Sequence, residues 1–395
     1  VTPPAIPARR TTPISLLAAA GFASGSGMRL LDPLLPALAH SLGVSVSGAA
    51  WVIAGFMLPY GVGQLAFGPL GDRLGKLRVI CVALGLYGVA VVACAGAGGL
   101  AALVLLRAIS GLFAGAVIPL AMAWIGDAVP YAERQVVIGR FLTGMVMAQL
   151  VTGPISGVIA ERLGWRASFL VLGGVTIGVA MVLGWQLGAS LWRSSGEAPG
   201  HSPGLHAYLG LLARPSGLWL LVSAFFDGAC LFGGAFPFVG AYLVQDFGLS
   251  AGNAGLVVAC FGLGAFVYTR FARRLLRRLG EPGLLTAGGI GLTVGLAALG
   301  VAMEWRDVAL MQIMLGHTFY MFHGVLQARA TEALPEARGT AVAAFAMALF
   351  LGQSTGSLAF GGLLAVTGYR RGFEVAAIGV LLLTAWARLS MQKAQ

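Results

Sequence analysis

Charge is scarce in this chain. Only 10% of its 395 residues are Asp, Glu, Lys or Arg, against roughly 25% in an ordinary soluble domain, which excludes a molecule wetted over its whole surface. Cysteine is scarce as well. The four, Cys81, Cys94, Cys230 and Cys260, stand singly inside apolar stretches, which excludes a disulfide framework and a clustered metal site. There is no Walker-type phosphate loop, so ATP-driven pumping by this chain is not expected, and nothing calls for a cofactor or a metal. What the chain has instead is apolar bulk: 58% hydrophobic residues and a mean hydropathy of +0.88. Its 60 glycines then read as close-packing positions of membrane helices, where glycine lets backbones approach. Near the start, Arg9, Arg10, an apolar run and Ala37-Leu38-Ala39 imitate a secretory signal. Arg29 and Asp32 interrupt that run, so it is read as a first membrane span.

A bilayer core about 30 Å thick takes roughly 20 apolar residues of helix. Twelve runs of that kind occur: Ile14 to Ala37, Gly48 to Phe67, Leu77 to Ala97, Gly99 to Trp124, Val137 to Ala160, Ala167 to Leu187, Leu218 to Val244, Ala251 to Phe271, Leu284 to Met303, Val308 to Gln327, Thr340 to Val366 and Phe373 to Ser390. The expected fold is an all-α membrane protein with a six-helix bundle over 1–189, a polar cytoplasmic linker over 190–215 and a second bundle over 216–395. Basic residues gather on one side of the alternating loops, among them Arg73, Lys76, Arg78, Arg134, Arg273, Arg277 and Arg338. That side is expected to be the cytoplasm, with both termini there. The net charge of +11 is thereby explained by the anionic inner leaflet and membrane lipids, without nucleic acid.

The two halves match at an offset of about 205 residues. Gly43-Val44-Ser45 pairs with Gly248-Leu249-Ser250, Gly75 with Gly280, Gly111 with Gly316, Asp127 with Glu332 and Pro130 with Pro335. After one deletion, Arg134 pairs with Arg338, Gln149 with Gln353, Gly157 with Gly361, Arg166 with Arg370 and Phe169 with Phe373. A six-helix unit used twice places a solute pathway between the copies.

The loop after the second span runs from Gly68 through Asp72, Arg73, Gly75 and Lys76 to Arg78. It resembles the loop signature of the major facilitator superfamily, Gly-x-Leu-x-Asp-Arg-x-Gly-basic. The resemblance extends over the whole chain and is strongest to the twelve-span drug:proton antiporter branch. It implies the major facilitator fold, a single-chain carrier that works as a monomer in the cell's inner (plasma) membrane, and alternating access. It further implies a latch made by Asp72 against the eleventh span near Gly339 and Thr340, with Arg134 in the matching basic loop. The second half keeps Gly280 but has Arg277 and Arg278 in place of the acid and its arginine, so an asymmetric gate is expected.

In the fourth span, Arg107, Ser110 and Gly111 are similar to the superfamily's Arg-x-x-x-Gly signature. An arginine inside a bilayer marks a pathway by default, and Asp32 lies at a similar depth in the first span. The expectation is that Asp32 pairs with Arg107 and exchanges a proton; the competing partner is Arg29, three residues back on the same helix face. Asp227 in the seventh span and His317 in the tenth are further proton-coupling candidates, with His323 a weaker one. Gly153, Pro154 and Gly157 in the fifth span resemble the antiporter signature and imply close packing and a bend there. Gln149 and Val158 depart from that signature. Arg29, Gln149, Gln353, Phe232 and Phe236 are candidate substrate-cavity residues, with Phe225, Phe226 and Phe238 able to extend an apolar wall. Gly352-Gln353-Ser354-Thr355-Gly356 satisfies the serine-hydrolase pattern, but no His follows Ser354 and no strand-to-helix elbow surrounds it, so catalysis is not expected. Two substrates remain in contention: an amphipathic, drug-like compound exported against protons, and an organic anion or metabolite recognised by Arg29 and Arg107.

Overall fold

The computed structural model describes residues 14–191, 210–334 and 338–393, and their regular structure is entirely helical. Most of the linker expected at 190–215, Arg9, Arg10 and Pro335 lie outside the described residues. The first half contains α1 (Ile14–Arg29), α2 (Leu35–Leu42), α3 (Val46–Leu74), α4 (Lys76–Cys94), α5 (Leu100–Ala114), α6 (Val117–Ala128), α7 (Tyr131–Leu163) and α8 (Trp165–Leu187). The second contains α9 (Pro215–Asp227), a wide-turned π segment (Gly228–Ala235), α10 (Phe236–Phe247), α11 (Ala251–Val301), α12 (Trp305–Ala330) and α13 (Arg338–Lys393).

Among the described residues, eight helical stretches are long and apolar enough to cross a membrane. Two of them are of double length. The 51 residues of α11 contain Gly280 at φ 65°, and the 56 of α13 contain Gly368 at φ 75°, so each folds back as two crossings. Only glycine adopts such a turn without strain. The first span and α12 fall outside those eight: α1 has 16 residues, and α12 has 26, about 39 Å of helix.

Three expected spans are not single helices. The first is interrupted at Leu30–Leu34, because Pro33 donates no backbone hydrogen bond and disfavours helical geometry at Asp32. The fourth breaks between α5 and α6 at Gly115 and Ala116. The seventh is widened over Gly228–Ala235, where its backbone lies hard against the eleventh span: a Cβ on Gly233 would stand 2.0 Å from the Gln353 carbonyl oxygen.

The repeat seen in the sequence reappears as equivalent contacts. Ser45 accepts a hydrogen bond from the Gly48 amide at 3.0 Å, and Ser250 from Asn253 at 3.3 Å, each capping a helix start. A Cβ on Gly111 would meet the Phe56 carbonyl oxygen at 2.2 Å, and one on Gly316 the Phe261 carbonyl oxygen at 1.9 Å. Arg166 donates to the Ala97 carbonyl at 3.2 Å and Arg370 to Ala302 at 3.2 Å.

Candidate functional site

The halves meet along α3 with the first part of α13, and along α7 with the first part of α11. Ser354 Oγ donates to the Ala54 carbonyl at 3.1 Å, and the Tyr60 and Phe350 rings stand 4.4 Å apart. On the other seam, Gly157 lies so close to α11 that a Cβ would be 2.4 Å from the Ala251 carbonyl oxygen, and Gly255 abuts Gly153. The fifth-span glycines therefore serve close approach, while α7 runs on as one helix through Pro154. Glu161 accepts a hydrogen bond at 2.5 Å from the Gly252 amide in the first turn of α11. There its charge also complements the helix N-terminus. The Gly157 and Glu161 contacts lie at the end of the molecule that carries Gly43, Gly164, Gly248 and Gly368. Towards the opposite end, a cavity of about 720 Å³ opens beside Ser15, Ala18, Phe22, Arg140 and Met147.

Ser15, Ala18, Phe22 and Arg29 follow one face of α1 at helical spacing, so Arg29 continues the cavity-side face inward. It is 5% exposed. Its Nη1 donates to Asp32 at 3.5 Å, and its guanidinium lies over Phe232 and Phe236 of the other half, 4.4 and 4.5 Å from the ring centroids. Cation–π contacts of this desolvated kind are worth about 2 kcal/mol each. The Arg29 Nε is buried without a hydrogen-bond partner among the described residues.

Asp32 thus pairs with Arg29, not with Arg107 as the signature led us to expect. Arg107 turns to backbone instead, donating to Gly27 at 2.9 Å and to Val52 at 3.4 Å. It also lies 4.0 Å over Phe56. The physical reason is the break at Leu30–Leu34: carbonyls near the helix end and an adjacent ring supply Arg107, and the carboxylate remains with its near neighbour in the chain.

Asp227, 2% exposed, meets Nδ1 of His323 at 2.6 Å. The imidazole ranked lower by its position near the helix end is the one that finds a carboxylate. His317 Nδ1 is buried without a hydrogen-bond partner among the described residues, and its ring packs 5.9 Å from Tyr268. No spacing rule links residues as far apart as Asp227 and His323, so sequence reasoning had no signal for the pair. The aromatic wall is also smaller than expected. Phe232 and Phe236 cluster with Phe261 and Phe319, but Phe226 is exposed and Phe238 stacks on Phe360. Gln353 is buried and Gln149 half-buried.

Part of the predicted latch loop is bridged within the first half. Lys76 bridges Asp72 at 2.9 Å and Asp127 at 2.8 Å. Arg78 donates to the Leu191 carbonyl, and Arg134 to the Gly126 and Val129 carbonyls at the end of α6. Gly75 takes φ 94° between α3 and α4, Gly68 has open space around it and Arg73 is exposed. At Gly339, where the latch was expected to dock, a Cβ would meet nothing within 4 Å. The hydrolase-like pattern is packing: Gly352 and Gly356 abut the Phe225 and Ala229 carbonyls.

The family model described as Major Facilitator Superfamily matches residues 17–357 and 230–393. The chain belongs to the Major Facilitator Superfamily. It is a secondary transporter and not an enzyme. Among curated members it is 29% identical, over 91% of this chain and 87% of the other, to the uncharacterized MFS-type transporter YwfA of Bacillus subtilis. It is 26% identical, over 74% and 68%, to a chloramphenicol resistance protein of Pseudomonas aeruginosa. Over 41% and 36% it is 26% identical to a gallate transporter of Pseudomonas putida. A solved bacterial homolog of the human lysosomal transporter Spinster superposes with a TM-score of 0.78, covering 98% of both chains at 18% identity. A D-xylose-proton symporter superposes at 0.76, covering 95% of this chain and 96% of its own, at 17% identity. These likenesses establish the superfamily fold.

Proposed function

We propose that this transporter exports amphipathic, drug-like compounds in exchange for protons. The observation that carries the reading is the Arg29–Asp32 pair, set at a broken helix and capped by Phe232 and Phe236 of the opposite half. A charged group buried against rings across the seam suits a solute that has both a polar group and an apolar body. Parting the halves would also uncover it. Irregular helices in the first span of each repeat, here the break at Leu30–Leu34 and the wide turn at Gly228–Ala235, are the usual seat of a transporter's substrate. Resistance and export proteins among its relatives, including that of tetracenomycin C in Streptomyces glaucescens, support the direction.

In this reading the basic loops face the cytoplasm, both termini are cytoplasmic, and the membrane is the cell's inner one. The seam at Gly157, Glu161 and Ser354 then closes the outer face, and the cavity beside Phe22 opens inward. Asp72 docks on the inner end of the eleventh span in the opposite, outward-open state. Proton exchange falls to the ionisable groups within the spans, the buried Asp32, Arg107 and Asp227 and the half-buried His317, and Gln149 and Gln353 flank the route from the two halves. The working unit is the monomer.

A second reading, uptake of an organic anion with a proton, is favoured by the Arg29 Nε, without a partner among the described residues, and by the likeness to the gallate transporter. Proteoliposomes under opposed pH gradients separate the two. The exporter reading expects chloramphenicol to accumulate against an imposed proton gradient with gallate unmoved; gallate moving down the proton gradient with chloramphenicol inert overturns it.

A further inference from the structure

Asp227 ends α9, and the wide-turned segment begins at the next residue. The imidazole it holds at 2.6 Å lies almost parallel on Phe319, 4.8 Å away and tilted by 15°. Phe319 meets Phe232 edge-on at 4.6 Å, and Phe232 lies under the Arg29 guanidinium at 4.4 Å. Direct contacts in series therefore join a carboxylate–imidazole pair of the second half to the Arg29–Asp32 pair of the first. The wide turn brings Cys230 near Asp227, and α13 presents Phe345, 5.7 Å from the imidazole; Arg29 of α1 and Tyr320 of α12 lie near each other, with Arg29 two rings away from the pair.

With a proton bound, Asp227 and His323 are a carboxylate and an imidazolium whose charges cancel. Without it they hold one net negative charge among aromatic rings, where charge without a partner is costly. The arrival or loss of one proton thus changes the load on the irregular turn joining α9 to α10, and wide turns of this type collect at functional sites. We propose that Asp227 and His323 are the site that carries the coupling proton, and that its occupancy reaches Arg29 through Phe319 and Phe232. The proton passes from water to the imidazole on one face of the membrane and returns to water on the other, and no other bond changes. Asp32 then serves as the counter-charge of Arg29. This inference rests on the proton-coupled reading above and names the place of the proton.

The test follows backbone hydrogen exchange of the full-length protein in lipid nanodiscs, from mildly acidic to mildly alkaline pH and corrected for the intrinsic pH effect. Peptides spanning α9, the wide turn and α12 are expected to differ about tenfold or more in protection across that range. His323→Gln and Asp227→Asn should each flatten the dependence, and Asp227→Glu should retain it. A flat wild-type profile overturns the proposal, as does a pH dependence that survives His323→Gln. If a substituted protein fails to fold, the wild-type and Asp227→Glu profiles decide. Chloramphenicol flux is measured on the same preparations: absent flux with pH-dependent protection defeats the exporter reading alone, and pH-driven flux undiminished in His323→Gln defeats the proton site alone.

Discussion

The two halves of this transporter share a scaffold and differ in their chemistry. Gly111 against Phe56 and Gly316 against Phe261 are the same helix crossing made twice, as are Arg166 on Ala97 and Arg370 on Ala302. At the position where the first half has Arg107, the second has Gln312, fully buried. The first half holds Arg29, Asp32 and the Asp72–Lys76–Asp127 bridge; the second holds Asp227, His323 and the rings that cover Arg29. Duplication thus preserved what packing requires and left the ionisable groups to diverge, and the first half relies on rings of the second to cover Arg29.

The largest effect should come from the shared scaffold. Gly111→Val and Gly316→Val would each drive side-chain atoms into a backbone carbonyl. Each is expected to destabilise the protein by about 3 kcal/mol or more, read as thermal unfolding in detergent. Similar losses in both halves sharpen the comparison, and one silent substitution breaks it. Next come the charges held by the first half. Asp32→Asn leaves the Arg29 guanidinium buried without its counter-charge, at about 3 kcal/mol, and should lower flux at every pH; flux that falls only at one end of the pH range would mean that Asp32 itself carries the proton. Arg107→Gln puts into the first half the residue that Gln312 supplies in the second. It should cost less, about 1.5 kcal/mol, for lost hydrogen bonds from a charged donor, measured by denaturant unfolding and by flux together.

A smaller effect is expected at the seam. Glu161→Ala removes a carboxylate from the first turn of α11, an interaction of about 1 kcal/mol, and should raise the outward-open population about fivefold. Labelling of a cysteine introduced at Ser47 in a cysteine-free background reads that population. Smallest of all, Arg166→Ala and Arg370→Ala each delete an equivalent backbone hydrogen bond. Both should lower stability by about 1 kcal/mol, and unequal values would show where the duplicate has drifted.

Much of the scaffold was open to reading in advance. Apolar run length set the crossings, and glycine spacing exposed the repeat, because membrane helices must satisfy their own backbone and pack through small residues. Gly75 and its repeat-mate Gly280 were visible between spans for the same local reason, whereas the turn at Gly368 came from the structure. The site was less legible. Arg29 and Asp32 stand out as charges in an apolar run, but Arg107 has several carbonyls and rings within reach once folded, and sequence spacing does not rank them. His323 was set below His317 on depth alone, and Glu161 went unnoticed because an acid at a helix end is common.

By itself, then, the chain's order of residues determined the membrane as solvent, the duplicated helical unit and the places where helices must turn, all of them consequences of local hydropathy and backbone conformation. Tertiary structure decided the partners: Asp32 with Arg29, Asp227 with His323, Glu161 with the first turn of α11, and Phe232 beneath a guanidinium of the opposite half. Those choices depend on which side chains meet across helices distant in the chain, and electrostatic energies of a few kcal/mol then turn on ångström differences in approach.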